Sequence, residues 1–280
     1  MHGNSPAMVD RWLRTGEVLG SQPSITKPFV RGPVMPNSWF VDGQNGSDTG
    51  NGNDPRSPLL TIAEAVSRAG AGDVIYLVGN FTEEVVVGPE LEDISFIGVA
   101  SRPRHADHAR DTTFSTNQGC SWRSPSSAAA PLLTIRAQGV RVENILFAVP
   151  TAYGAVLLSR NALSGTSEYD ASHAEFIDCR FAGGQDGIRD SGGCFNVHVK
   201  GCTFHQQTGN GILTVDTAVA VPLAWRVEDS YFWGGANHIR VSANNWLVVN
   251  NYFGPIDNFG ISLAHVSSQG AGNIVTKNYL

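Results

Sequence analysis

The residues best suited to chemistry lie in GGQDGIRDSGG, Gly183 to Gly193, where Asp186 and Asp190 flank a turn and strand with Arg189 between them. His198 and Lys200 follow in the next stretch of chain. Two carboxylates roughly 5 to 9.5 Å apart on one face would give a glycoside hydrolase its acid and its nucleophile or base. A lyase would instead need calcium-binding aspartates and an arginine or lysine that removes a proton beside a carboxylate. Aspartates at glycine-rich corners also arise for structural reasons alone. No catalytic residue is therefore assigned, and Asp186 and Asp190 are the candidates to check.

Other clusters point to loops before ligands. Gln44 to Pro58 is dense in Asn, Asp and Gly, and Asp42, Asn45, Asp48 and Asp54 could offer oxygen to calcium. The spacing fits no EF-hand and Asx-turns explain the composition, so no metal or cofactor is expected. His105 and His108 sit in a polar stretch and read as solvated. His198 falls on the outward side of its strand and His205 just past a phenylalanine, neither with a partner carboxylate nearby in sequence. Four cysteines show no ligand spacing, and Cys179 and Cys202 hold equivalent places in consecutive repeats, as reduced thiols in a core would.

The element that must position all of these is a repeat. VRVENILF, AEFIDCRF, VHVKGCTF, WRVEDSYF, WLVVNNYF and NIVTKNYL end at Phe147, Phe181, Phe204, Phe232, Phe253 and Leu280. A unit recurring every roughly 20 to 35 residues is the mark of a solenoid, in which each unit covers its neighbour's apolar face. Apolar positions alternate within the unit, so it is a strand. Ile188, Ile212, Ile239 and Ile261 mark a second strand per coil, and Gly187, Gly211 and Gly260 before three of them suggest a turn between faces. Low charge (16%) and 31 glycines suit short strands and tight turns. A net charge of −6 with scattered Lys and Arg argues against nucleic acid, and no apolar run is long enough to span a membrane.

Residues 1–36 are broken by five prolines and read as an extended arm, with MVDRWL as one amphipathic turn. The start lacks the apolar core of a secretory signal, which suggests synthesis in a host cytoplasm without export. The solenoid, residues 37–280, opens with the strand SWFVDG. A helix near 61–69 then follows, with Thr61 and Glu64 as a capping box and Ile62, Ala65, Val66 and Ala69 on its apolar face. It would cap the first coil. Asp73 to Gly79, Glu83 to Val87 and Ile94 to Gly98 are the next strands, and 102–130 reads as a long loop insertion.

Trp39 to Gly98, with its VDGQNGSD loop, PLLTIAEA helix start, GDVIYL strand and GNFTEE turn, resembles the opening of pectate-lyase-like right-handed parallel β-helices, including phage virion proteins. The resemblance implies an all-β, single-stranded right-handed parallel β-helix with an N-terminal capping α-helix. It does not decide activity, because that superfamily holds lyases, hydrolases, tailspikes and inert virion parts. Gly183 to Gly193 is similar to the DDG element of polygalacturonase-like enzymes, but one aspartate of that element is missing, as are the NTD, GHG and RIK motifs.

The outward positions of the repeat carry more. Counting back from the terminal aromatic, the fifth residue (Val142, Phe176, Val199, Val227, Val248, Val275) should face the core, and the fourth and sixth should face outward. The outward pairs run Arg141 and Glu143, His198 and Lys200, Arg226 and Glu228, then Leu247 and Val249, Ile274 and Thr276. Tyr231, Tyr252 and Tyr279 precede the terminal residue. A face that turns apolar marks a contact, so Leu247, Val249, Ile274, Tyr252 and Tyr279 are the expected oligomer interface. The repeat runs to Leu280 without a closing segment, which adds to that expectation. The expectation is a homotrimeric virion protein, a head-decoration, cement or fibre component, held to the capsid or another virion protein by residues 1–36. The alternatives are a tailspike-type depolymerase or lyase, and a module that binds host surface glycan through Tyr231, Tyr252 or Trp233.

Overall fold

Strands too short to bury a face alone must stack, and the pairings show how they do so. A computed structural model describes residues 36–99, 120–125, 130–149, 153–160, 170–191, 193–214, 223–242, 244–264 and 272–279, all within the unit Pro36–Leu280. The expected arm up to residue 35, His105, His108, most of the 102–130 insertion and Leu280 lie outside the described residues.

Every strand pairs in parallel, each with the equivalent strand of the coil before and after. The first face runs Ser38–Asp42, Val74–Phe81, Ser95–Gly98, Arg141–Glu143, Glu175–Ile177, His198–Lys200, Arg226–Glu228, Leu247–Val249 and Ile274–Thr276. A second face carries the aromatic positions and a third the isoleucines. The product is a parallel β-helix with one short helix among the described residues. The strand Cys120–Arg123 corrects the expected long loop: Cys120 and Trp122 are buried there, and Trp122 lies in register between Phe81 and Phe147.

In-register stacking turns each inward position into a ladder. Phe147, Phe181, Phe204, Phe232 and Phe253 stack with ring centroids 5.3, 4.8, 4.6 and 5.0 Å apart. Trp225 lies 4.8 Å above Trp246. These spacings follow the distance between paired strands, so sequence and backbone agree on the same contact. Cys179 and Cys202 are buried free thiols whose sulfurs donate to Val142 and Phe176 carbonyls. Below them in the same corner, Asn251 and Asn278 side-chain oxygens accept the amides of Ser230 and Asn251, at 2.9 Å each. Those corner amides would otherwise be buried without a partner.

The corners of the first face need left-handed backbone. Asn144, Asp178, Gly201, Asp229, Asn250 and Lys277 leave it at φ between 50° and 63°. Asp93, Gly139, His173, Asn196, Ala224 and Asn245 enter it at φ between 52° and 69°. Asn, Asp and Gly tolerate this conformation, whereas alanine is strained by about 1–2 kcal/mol. Ala224 is exposed and lies between Asn196 and Asn245 in the stack. Ala224→Asn should therefore raise stability by about 0.5–1 kcal/mol, read as a higher urea midpoint at unchanged slope.

Helix Ile62–Arg68 packs Ile62 and Ala65 into the first coils, and Thr61 Oγ1 accepts from the Glu64 amide as expected. The rest of the capping box is not formed. Glu64 pairs with Arg68, while Asp48 accepts from the Thr61 amide and hydroxyl. Glu83 takes the Ile62 and Ala63 amides at 2.8 and 2.9 Å. A carboxylate from the next coil meets the helix terminus more squarely than one on the helix itself.

Candidate functional site

Burial along Asp186–Asp190 decides what its two acids can do. They stand two residues either side of the buried Ile188, and Asp186 is 1% and Asp190 0% exposed. Asp186 Oδ1 accepts from the Asn210 amide and side chain at 3.0 and 2.7 Å, and Asn210 in turn accepts from Asn237. Burial pushes the Asp186 carboxyl above its usual range. Asp190 accepts the Gly193 and Cys194 amides at 3.0 and 3.1 Å. Arg189 is the exposed member, on the wall of a cleft of about 270 Å³ with Tyr153, Gln185 and Ser191. Asp186 also borders that cleft, but its carboxyl is buried and bonded to Asn210, and Asp190 is fully buried, so neither presents a free carboxylate to it. Asp186→Asn keeps the accepting oxygen and removes a buried charge. It should leave stability at pH 7 unchanged or slightly raised in urea unfolding, whereas a loss above about 1 kcal/mol would show the charge itself is needed.

The loop acids are likewise engaged. Asp42 accepts from the Gln44 and Asn45 amides, Asp48 from Leu60 and Thr61, and Asp54 from Arg56. The Asp42 and Asp54 bonds are Asx-type turns, while Asp48 reaches across the loop to the start of the helix. Among the described residues no group of three His, Cys, Asp or Glu side chains is placed to hold a metal ion.

Chemistry-bearing side chains do meet on the outside of the first face. Register sets Arg141, Glu175, His198, Arg226, Leu247 and Ile274 in one outward row, and Glu143, Ile177, Lys200, Glu228, Val249 and Thr276 in the other. Arg141 bridges Glu143 and Glu175 at 2.8 and 3.2 Å. Glu228 gathers His198 Nε2 at 3.0 Å, Lys200 Nζ at 3.3 Å and the Arg226 guanidinium. The sequence reading left His198 without a carboxylate; its partner lies one coil on, where parallel stacking makes residues far apart in sequence into neighbours. Burial raises the Glu228 carboxyl, but the three donors outweigh it and hold it below the usual range. A carboxylate held ionised by three donors is a poor general acid. Glu143 and Glu175 share Arg141 and Glu228 holds three cations, so every acid in this patch is paired.

Beyond Arg226 the same rows are apolar. Leu247 and Val249 are half-buried, Ile274 is 56% exposed and Tyr279 68%. On the adjoining second face Tyr231 stacks on Tyr252 at 4.7 Å, 4° from parallel, and on Trp233 at 6.0 Å. Each ring thus covers one face of its neighbour, and Tyr252 remains 41% exposed.

No protein-family model and no curated protein sequence matches the chain. Solved structures that resemble it include pectate lyase Pel9A, 13% identical with a TM-score of 0.44 over 86% of this chain and 78% of that one. Pectin methylesterase PemA from Erwinia chrysanthemi is 12% identical with a TM-score of 0.35, covering 86% and 93%. ORF18 of Geobacillus virus E2 is 11% identical with a TM-score of 0.31, covering 74% and 52%. The parallel β-helix itself rests on the strand pairings, and it is the fold that the opening motif leads one to expect.

Proposed function

We propose that this chain is a structural subunit that assembles with copies of itself, as a trimeric head-decoration, cement or fibre component of a phage virion. The observation that carries the reading is the outward face of the last coils. The strand order holds a neutralised charge patch from Arg141 to Glu228 and then an apolar strip through Leu247, Val249 and Ile274, flanked by Tyr252 and Tyr279. Apolar surface of this extent on a regular flat sheet is suited to burial against another flat sheet. The burial and internal hydrogen bonds of Asp186 and Asp190 support a subunit that does no chemistry on glycans. The virion setting is drawn from the opening motif of residues 39–98, and residues 1–36 are taken as the segment that meets another virion protein. Antibodies to the chain should label intact particles in electron micrographs. The full chain should release no reducing ends or unsaturated products from a panel of acidic and neutral polysaccharides. Cleavage of any of them would overturn the non-catalytic reading, and unlabelled particles would overturn the virion one.

A further inference from the structure

Four coils place one residue directly before the isoleucine ladder, and three of the four are glycine: Gly187, Gly211, His238 and Gly260. A Cβ on Gly187 would lie 2.7 Å from Phe204 Cδ1, and one on Gly211 3.1 Å from Phe232 Cδ1. The position therefore points into the hollow of the coil, at the phenylalanine stack. This also corrects the expected reason for Gly187 and Gly211, which make room inside a strand, whereas a Cβ on Gly260 would meet open space. At 238 an imidazole takes the same direction. Its ring lies 5.7 Å from Phe232 and 5.6 Å from Phe253, so it sits at the joint between its own coil and the next. It is 2% exposed, and neither ring nitrogen has a hydrogen-bond partner among the described residues.

The two rings that pack on it carry no charge: Phe232 on its own strand and Phe253 from Tyr252–Phe253. The titratable and charged side chains of these elements are elsewhere. Arg240 and Asp257 are exposed, and His205 is level with Trp233 on the outward side. A protonated imidazole here would bring a second N–H and a charge into a site where the described residues give the ring no hydrogen-bond partner. Facing phenyl rings offer it cation–π attraction but no hydrogen bond.

We propose that His238 is an acid-sensitive latch: protonation releases residues 246–264 from the coil beneath them and dissolves the assembly. The second half rests on the self-association reading, because Leu247, Val249 and Tyr252 ride on the released coil. Burial holds the His238 pKa at about 4, against 6.5 for a free imidazole. Since the folded value lies below the open one, the joint is at full strength above pH 6.5, weakens as the pH falls from there, and levels off below about 4. From pH 7.5 to pH 5 the opening equilibrium shifts about 30-fold toward the released coil.

Hydrogen exchange of the full chain, corrected for the chemical rate at each pH, reads this directly, with light scattering alongside. Protection of residues 246–264 should fall about 30-fold from pH 7.5 to pH 5 in the native chain, in excess of the change in residues 133–158. His238→Gly, which installs the residue of the other coils, and His238→Gln, which keeps a polar group that does not titrate, should both lack that excess. Equal losses in native chain and variants would sink the latch. So would an NMR titration giving folded His238 a pKa of 6.5 or above, whether or not the variants fold. If the coil opens but the mass is already monomeric at pH 7.5, the latch stands and the assembly reading fails.

Discussion

Phe204→Ala should cost about 3–5 kcal/mol, the largest loss expected of any single side chain truncated in this molecule. Phe204 is fully enclosed, with Phe181 4.8 Å to one side and Phe232 4.6 Å to the other, and its ring fills the space left by the missing Cβ of Gly187. The usual escape from a cavity is collapse of the surroundings. Here the strands above and below are held at fixed spacing by parallel pairing on both sides, so the neighbouring rings cannot close on the gap. A solenoid is also a chain of nearest-neighbour contacts, and a weak link in the middle separates what lies on either side. Urea unfolding should therefore show a lower midpoint and two resolvable steps. Phe253→Ala, further along the stack and slightly more accessible, should cost less, about 2–3 kcal/mol. A loss below about 1 kcal/mol at Phe204 would mean the rings repack, and the ladder is not the rigid spine described above.

Leu247→Asp should leave the single chain folded and abolish its association. The side chain is half-buried on the outward row, level with Arg226 and Ile274, so a carboxylate there stays in reach of water in the isolated chain. Pressed against an apolar partner it would be buried without a counter-charge, at a cost of about 3–5 kcal/mol. That corresponds to association weaker by roughly two to four powers of ten. Ser95→Asp is the matched control, on the same outward row but among the first coils. It should not change the mass. An effect at Ser95 equal to that at Leu247 would point to general repulsion and not to a located contact.

Most of the architecture could be read from the residues because the solenoid repeats one local rule. The fifth residue before each phenylalanine is buried and the fourth and sixth form outward rows, whereas Val275, also expected in the core, is 45% exposed in the last described strand. Asn144, Asp229 and Asn250 announce the left-handed corners, but His173, Ala224 and Lys277 do so only once the backbone is known. What was missed depends on contacts between coils. Thr61 and Glu64 matched a local capping pattern, yet Asp48 and Glu83 hold the helix start from a loop and the following coil. Glu228 was not matched to His198 because they stand on different coils, although aligning the repeats puts their positions side by side. The burial of Asp186 and Asp190 was not legible, because Gly187 and Gly211, each directly before an isoleucine, also point inward and simple alternation fails in this strand. Cys120–Arg123 hid in a polar stretch, and only its register with Leu146–Val149 identifies it.

The claim on which the functional reading turns is that the apolar rows through Leu247 and Ile274 are covered by another copy of the chain. Light scattering of the full chain at neutral pH over a wide range of concentrations measures this without any variant. Three times the 29.9 kDa chain mass, constant as the protein is diluted, is the expected result. A mass of 29.9 kDa at every concentration would contradict it.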